Sequence, residues 1–226
     1  MGDRALMELQ VRVLFRHDRR GRLRSVNEPP YAAPPRVFLG FTRDGTVVRW
    51  RDDADVGLAR QAAGLAAGDE WHLDDLARLV VGEGPAGALW LGPAFVFPPG
   101  AAWRARDQVS TVRVTRESAS VLKEHFPYAR REWRWREPCV AVVRDGRAVA
   151  VCLSARQTAA AAEAGLHTVA AQRGHGYGAA AARAWAAAVQ AQGRVALYST
   201  SAQNLASQGL ARRLGLRQYG IDVHVG

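Results

Sequence analysis

The chain has a single lysine, Lys123, only two cysteines, and no apolar run near the ~18 residues that a bilayer-spanning helix requires. Each scarcity excludes something. Met1 to Leu9 also lacks the apolar region of a signal peptide, so neither a membrane span nor a secretory leader is expected, and the protein reads as soluble and cytoplasmic. Cys139 and Cys152 are too few to staple a chain of 226 residues. They fall on adjacent arms of a predicted hairpin, where free, buried thiols are expected. No Gly-Lys-Ser/Thr follows any glycine-rich segment, which excludes a Walker phosphate loop. There is no internal repeat and no low-complexity tail.

Arginine therefore supplies nearly all of the 31 basic residues, which against 21 acidic ones leave a formal net charge of +10. Such a balance raises the question of nucleic acid. The arginines are spread from Arg4 to Arg217, a dispersed background more than a binding stripe. One segment, Arg130 to Arg136, is concentrated and interleaves Trp133 and Trp135 with arginine. It reads either as a surface for single-stranded nucleic acid or as a strand with both tryptophans inward and the arginines in solvent. The strand is the expectation, and nucleic acid is not an expected partner.

Length permits one large or two small domains with a sizeable core. Leu9 to Phe15 alternates like a strand, and Arg36 to Arg51 reads as a hairpin turning at Asp44-Gly45. Pro29 to Pro35 is a stiff extended segment, either a surface loop or a wall of a substrate pocket. Helical spacing follows at Asp55 to Ala67 and Leu73 to Val81, each with an aspartate near its start. Gly82 to Gly87 breaks the pattern, so an N-terminal α+β accessory region is expected over residues 1–84 and a second domain over 85–226. The second domain reads as a strand (Ala88–Phe97), a helix (Arg116–His125), and a hairpin with arms Cys139–Arg144 and Ala148–Leu153 around Asp145-Gly146. Strand, glycine loop, helix, strand, helix and a last strand, Arg217–Val225, complete it.

The glycine loop is the segment Gln172-Arg173-Gly174-His175-Gly176-Tyr177-Gly178, set between a β-rich run ending at Val169 and an alanine-rich run from Ala179. A loop at a helix N-terminus can point several backbone N–H groups at one ligand, and the helix dipole adds partial positive charge. Glycine at every second position removes the Cβ atoms that would hold a diphosphate away, and Arg173 adds a fixed charge. A phosphorylated cofactor is the implied ligand. A Rossmann fingerprint is excluded, because no separate βαβ unit precedes the loop and no acidic residue ends a strand ~20 residues later.

Arg-Gly-His-Gly-Tyr-Gly resembles the Arg/Gln-x-x-Gly-x-Gly/Ala pyrophosphate loop of the GNAT superfamily of acetyl-CoA-dependent N-acetyltransferases. Downstream, the strand Leu197 to Thr200, then Asn204-Leu205-Ala206-Ser207, Leu210 and Leu214-Gly215-Leu216, resembles that superfamily's "Asn-x-x-Ser/Ala … Leu-Gly-Phe" helix. The likeness covers about Pro138 to Gly226 well, Leu89 to Glu137 loosely and the earlier chain hardly at all. It implies an α/β fold with a mixed, mainly antiparallel central sheet flanked by helices. It also implies acetyl transfer from acetyl-CoA to an amine of a small molecule or protein. Sequence ending at Gly226 leaves nothing to form the fold's seventh strand, so an N-terminal strand or a second copy of the chain, as in a homodimer, is expected to cover that edge.

The resemblance also assigns residues. Coenzyme A would contact His167, Thr168 and Val169 through their backbone, with Arg173, Gly174, His175, Gly176, Tyr177 and Gly178 around its diphosphate. Asn204 and Ser207, spaced (i, i+3), would reach the pantetheine and phosphate portions, although Asn204 also reads as a helix cap. Glu163 is the expected base, acting on the amine through water, with His167 as the alternative. Many relatives carry a tyrosine after the leucine at the Leu210 position, where this chain has Ala211. Tyr198 is the substitute for protonating the thiolate, and solvent is another. Ser154 and Arg156 are candidate acceptor contacts, Arg156 favouring an anionic acceptor. Two other classes stay open: a non-catalytic acyl-CoA-binding module, supported by Ala211, and a nucleic-acid binder.

Overall fold

A computed structural model describes residues 1–54, 57, 89–100 and 109–226. The expected helices at Asp55–Ala67 and Leu73–Val81, and the boundary placed near residue 84, lie outside the described residues. The chain divides into two compact units. The first comprises Met1–Phe95, Ser199–Gln208 and Gln218–Gly226; the second comprises Val96–Tyr198 and Gly209–Arg217.

The first unit opens with a helix where a strand was expected. Helix α1 spans Asp3–Leu14 and buries Leu6, Met7, Gln10, Val11, Val13 and Leu14. Leu6, Gln10, Val11 and Leu14 recur at the spacing of one helical face. The apparent alternation of Leu9 to Phe15 gives way because Gln10 is buried and its amide is satisfied inside the protein. Gln10 Nε2 donates to Asp222 Oδ2 at 3.1 Å, and Gln10 Oε1 accepts from the Tyr219 hydroxyl at 2.5 Å. Strands β1 (Phe15–His17) and β2 (Leu23–Val26) form a short antiparallel ribbon. Strands β3 (Val37–Thr42) and β4 (Gly45–Trp50) form the expected hairpin. Glu28 to Tyr31 turn back, with Tyr31 N–H donating to Glu28 O at 2.7 Å, so the proline-rich segment is not uniformly extended.

Strand β5 (Leu89–Val96) and the last strand of the chain, β11 (Arg217–Val225), complete that unit's sheet in the order β4-β3-β11-β5. The expected cover for the last strand is therefore present. Strand β3 pairs antiparallel along β11 from Ile221↔Phe41 to Val225↔Val37, and β5 lies on the other side. Val37, Leu39, Phe41, Val223 and Val225 form a core on one face. The other face receives α1 so closely that Gly40 and Gly220 lie under Met7.

The second unit holds β6 (Thr111–Arg113), a 3₁₀ turn at Ala119–Leu122, α2 (Pro127–Glu132), β7 (Cys139–Arg144), β8 (Arg147–Gln157), β9 (Ala161–Thr168), α3 (Tyr177–Gln190) and β10 (Val195–Ser199, its last residue in the first unit). Helix α4 (Leu205–Arg213) follows β10. The order is β10-β9-β8-β7-β6, antiparallel throughout except for the parallel pair β9 and β10. This is the mixed, mainly antiparallel α/β fold expected. Asp145 and Gly146 turn the β7–β8 hairpin with φ of 50° and 73°, as a tight two-residue turn requires. Cys139 and Cys152 are free and buried, and burial raises both thiol pKa values, that of Cys139 to about 12.

Two expectations change here. The expected helix at Arg116–His125 is only the 3₁₀ turn, and a true helix starts at Pro127, which suits a first helical turn. That helix also displaces the strand expected at Arg130 to Arg136. Trp135 is exposed and Arg136 is buried, the reverse of the alternation. Arg136 tolerates burial because Nε donates to Glu132 Oε2 at 2.8 Å, Nη1 donates to Ala155 O at 2.9 Å, and the guanidinium lies 4.1 Å from the Trp135 ring centroid. Among the described residues, no helix is long and apolar enough to cross a membrane.

Candidate functional site

The site is built around the parting of β9 from β10. Strand β9 pairs with β8 along its length, from Gln157↔Ala162 to Ala150↔Thr168. With β10 it pairs only through Ala161, Ala162 and Glu163. Beyond Glu163, among the described residues, the outer edge of β9 has no partner strand. The backbone of Ala164 to Thr168 thus offers unpaired N–H and C=O groups to an extended ligand, as an open sheet edge does.

At the far end of that edge stands the glycine loop. Val169 leads through a 3₁₀ turn, Ala170–Gln172, to Arg173, and Gly176 is the N-cap of α3. Gly174 and Gly176 have φ of 85° and 80°, in the left-handed region that costs other residues ~1–2 kcal/mol. Among the described residues a Cβ at either would meet nothing within 4 Å, so the space above the loop is open there. A Cβ at Gly178 would stand 3.0 Å from Thr168 Oγ1, so this glycine serves the close approach of helix to strand. No side chain caps α3 and no acidic residue occupies its first turn, which leaves its first N–H groups available to an anion.

The loop side chains brace one another. His175 stacks on Tyr177 with ring centroids 5.5 Å apart, and its Nδ1 lies 3.0 Å from Arg173 O. Arg144, at the tip of the β7–β8 hairpin, lies 5.2 Å above the Tyr177 ring and donates Nε to its hydroxyl at 3.3 Å. Sequence reasoning missed Arg144. The only signal was its place beside the Asp145-Gly146 turn, and sequence did not show that this turn reaches α3.

Glu163 lies within β9 and is 5% exposed. It is the last β9 residue paired with β10, so it sits at the fork. Leu197 is the β10 residue paired with Glu163, so strand alternation turns Tyr198, the next residue, to the opposite face, where it is buried edge-to-face against Phe97. The backbone thus places Tyr198 beside the fork but does not bring its side chain to that of Glu163. His167 lies four steps further along the strand from Glu163, or ~13 Å. Its ring packs edge-on against Tyr128 at 5.4 Å, and its pKa is lowered first by desolvation and then by the Arg136 charge.

A bulge in β8 between Ser154 and Arg156 sets Arg156 directly across from Glu163. Ser154 is turned the other way, buried, and accepts a hydrogen bond from Trp185 Nε1 at 3.2 Å. It is not placed to receive an acceptor. Asn204 Oδ1 accepts from Ser207 N–H at 3.0 Å, so the (i, i+3) spacing caps α4. Ala211 is fully buried, with no acid at that position. Among the described residues no cluster of metal-binding side chains occurs.

Residues 108–216 match the model of the Acetyltransferase (GNAT) family. No curated protein matches the chain. Among solved structures, the chain is similar to a GCN5-related N-acetyltransferase-like protein from Streptococcus suis 89/1591, with 16% identity, a TM-score of 0.52, and coverage of 85% of this chain and 84% of that one. It is similar also to an acetyltransferase of the GNAT family from Colwellia psychrerythraea, with 14% identity, a TM-score of 0.50, and coverage of 83% and 81%. A GNAT-family protein from Novosphingobium aromaticivorans DSM 12444 aligns at 20% identity and a TM-score of 0.49 over 61% of this chain, which spans 64% of its length. These likenesses concern the fold. Family model, strand order, open β9 edge and glycine loop agree, and residues 108–216 are a GNAT-family acetyltransferase domain.

Proposed function

We propose that the chain is an N-acetyltransferase that moves an acetyl group from acetyl-CoA to an amine by direct attack within a ternary complex. The observation that carries this reading is the open edge of β9 running from a buried carboxylate at the fork to an uncapped helix N-terminus. The residues fit the cofactor. Gly174 and Gly176 leave the space above the loop clear, and Arg173 supplies a positive charge beside it. His167, Thr168 and Val169 would lie along the pantetheine arm. When bound, acetyl-CoA supplies a thioester carbon already reactive toward an amine.

The protein's part is placement and proton handling. A backbone N–H of β9 beyond Glu163 can donate to the acetyl oxygen. Glu163, at the fork, accepts the amine's proton directly or through one water. Tyr198 is the candidate donor to the departing thiolate in place of the residue missing at Ala211. Arg156, opposite Glu163, is suited to hold an acceptor bearing a carboxylate or phosphate. Asn204 and Ser207 enter through the resemblance alone. Ala211 also supports a second reading, a binder of acyl-CoA without turnover.

The test uses Gly176→Asp, which adds bulk and negative charge where a diphosphate should lie. Calorimetry of the folded variant should show acetyl-CoA affinity reduced by well over tenfold, more than ~1.4 kcal/mol. Unchanged affinity removes the cofactor site. Thiol release with a panel of amines and peptides then separates enzyme from binder, since a binder releases none.

A further inference from the structure

The first unit contains a cavity of about 380 Å³ that acetyl transfer does not use. Its wall includes Arg20, Arg22, Val48, Arg49, Trp50 and Arg51, and among the described residues no carboxylate lines it. The cavity lies where the loop after β1 meets β4. Arg51 N–H donates to Arg36 O on the β3 side at 2.9 Å, so the alternation of an antiparallel pair turns the backbone N–H groups of Val48 and Trp50 outward, away from β3. An incoming anion would thus meet outward-facing N–H groups as well as guanidinium groups.

The arginines are braced with donors to spare. Arg22 Nη1 donates to Asp52 O at 2.9 Å, and Arg51 Nε donates to Asp53 Oδ1 at 2.6 Å. Arg49 donates through Nη1 to Val48 O at 2.8 Å and through Nη2 to Glu8. Each guanidinium has five N–H donors, so among the described residues each of these three retains donors for a ligand. The loop is fixed independently, because Asp18 Oδ1 accepts from the N–H groups of Arg20 and Arg22 at 2.8 and 2.9 Å. Bracing of this kind lowers the entropy lost when a ligand is gripped.

A nearby group reports the local field. Among the described residues, His17 Nε2 is buried without a hydrogen-bond partner. The pKa of His17 is lowered by burial first, then by the charges of Arg49 and Arg12. His17 does not line the cavity, but it feels the charge of Arg49, which does, with the Asp18 charge opposing.

We propose that this cavity binds a diphosphate group, held by Arg20, Arg22, Arg49 and Arg51 together with the outward N–H groups of β4. A diphosphate carries several charges and enough oxygens to engage arginines from two segments at once, in the paired geometry that guanidinium favours. A volume of about 380 Å³ falls within the range of small-ligand sites. The diphosphate can be free or the tail of a nucleotide. The proposal is independent of acetyl transfer, whose own diphosphate site is placed at Gly174 to Gly178.

Calorimetry on the full chain near physiological salt, with inorganic pyrophosphate and with ADP, tests it. Pyrophosphate should bind, Arg20→Ala/Arg22→Ala should weaken it about tenfold or more, and Gly176→Asp should leave it unchanged. Trp50→Leu should weaken ADP alone if a nucleotide is the source, and neither ligand if free pyrophosphate is. The His17 ring in the parent protein should titrate at higher pH once pyrophosphate is bound, a readout that needs no variant. Should the double variant fail to fold, Arg20→Ala alone serves, with a smaller loss. The proposal is overturned if pyrophosphate produces no heat and no His17 shift at millimolar concentration. It is overturned also if binding survives the arginine variants, is lost with Gly176→Asp instead, or is matched by citrate at the same arginines.

Discussion

Two pairs of glycines, one pair in each unit, do opposite work. In the second, Gly174 and Gly176 take left-handed conformations, and a Cβ at either would meet nothing within 4 Å. In the first, a Cβ at Gly40 would fall 2.2 Å from Met7 Cγ, and one at Gly220 would fall 2.5 Å from Phe41 O and 2.7 Å from Met7 Cε. One pair leaves the space above a loop open; the other lets a helix press onto a sheet. The contrast teaches that a glycine cluster points to chemistry only where the space it leaves is empty. It also divides the expected effects of mutation, since changes around the open glycines should act on turnover and changes beneath α1 should act on stability.

The largest effect should come from Glu163→Gln. The substitution keeps shape but removes proton affinity, so turnover should fall by the ~10²–10⁴ typical of a lost general base while acetyl-CoA binding and melting temperature stay near parental values. His167→Gln, ~13 Å away along the strand, should cost much less. Steady-state kinetics decide between them. Equal activity in both variants would mean that the protein works by placement alone, and a larger loss with His167→Gln would move the reacting centre toward the loop.

Gly40→Ala should come next, with stability as the readout. Overpacking a closed site costs ~1–3 kcal/mol. Gly174→Ala should cost ~1–2 kcal/mol through backbone strain alone. Denaturant titration of each variant, repeated in a Met7→Ala background, separates the two causes. The Gly40 penalty should shrink once Met7 is shortened, whereas the Gly174 penalty should not change. A Gly40 penalty indifferent to Met7 would end the packing explanation.

The same contrast explains what was legible. Arg173 to Gly178 could be read as a loop before a helix because glycine at alternate positions marks backbone free to turn, and Gly174 and Gly176 do take left-handed conformations there. The β7–β8 hairpin and the strand Arg217–Val225 declared themselves through a turn pair and an apolar run. Helix α1 did not, because Gln10 sits on its buried face and is satisfied by Tyr219 and Asp222, more than 200 residues away. Local pattern carries no trace of such partners. Arg136 was misplaced for the same reason, since its burial depends on Glu132, Trp135 and the carbonyl of Ala155 acting together. In the candidate site, the residue types were legible, but their separation was not. Only the register, which ends the β9–β10 pairing at Glu163, distinguishes Glu163 from His167.

The smallest expected effect concerns two histidines, one in each unit. His17 and His167 both have pKa values lowered from 6.5, with desolvation as the leading cause. For such a group the unfolded chain takes up protons more readily than the folded one. Each histidine therefore costs no stability above about pH 6.5 and progressively destabilises the fold as pH falls from there toward the folded-state pKa. The remaining causes differ: His17 is pressed down by Arg49 and Arg12, with a backbone hydrogen bond at Phe15 and the Asp18 charge as smaller opposing causes, and His167 is pressed down by Arg136 alone. Salt screens charge but leaves desolvation in place. Raising the ionic strength should move the His17 pKa back toward 6.5 by more than it moves that of His167, a difference that NMR titration of the two ring signals can resolve. Equal movement would mean that the arginines around His17 contribute little field, and that burial alone sets both histidines apart from a free imidazole.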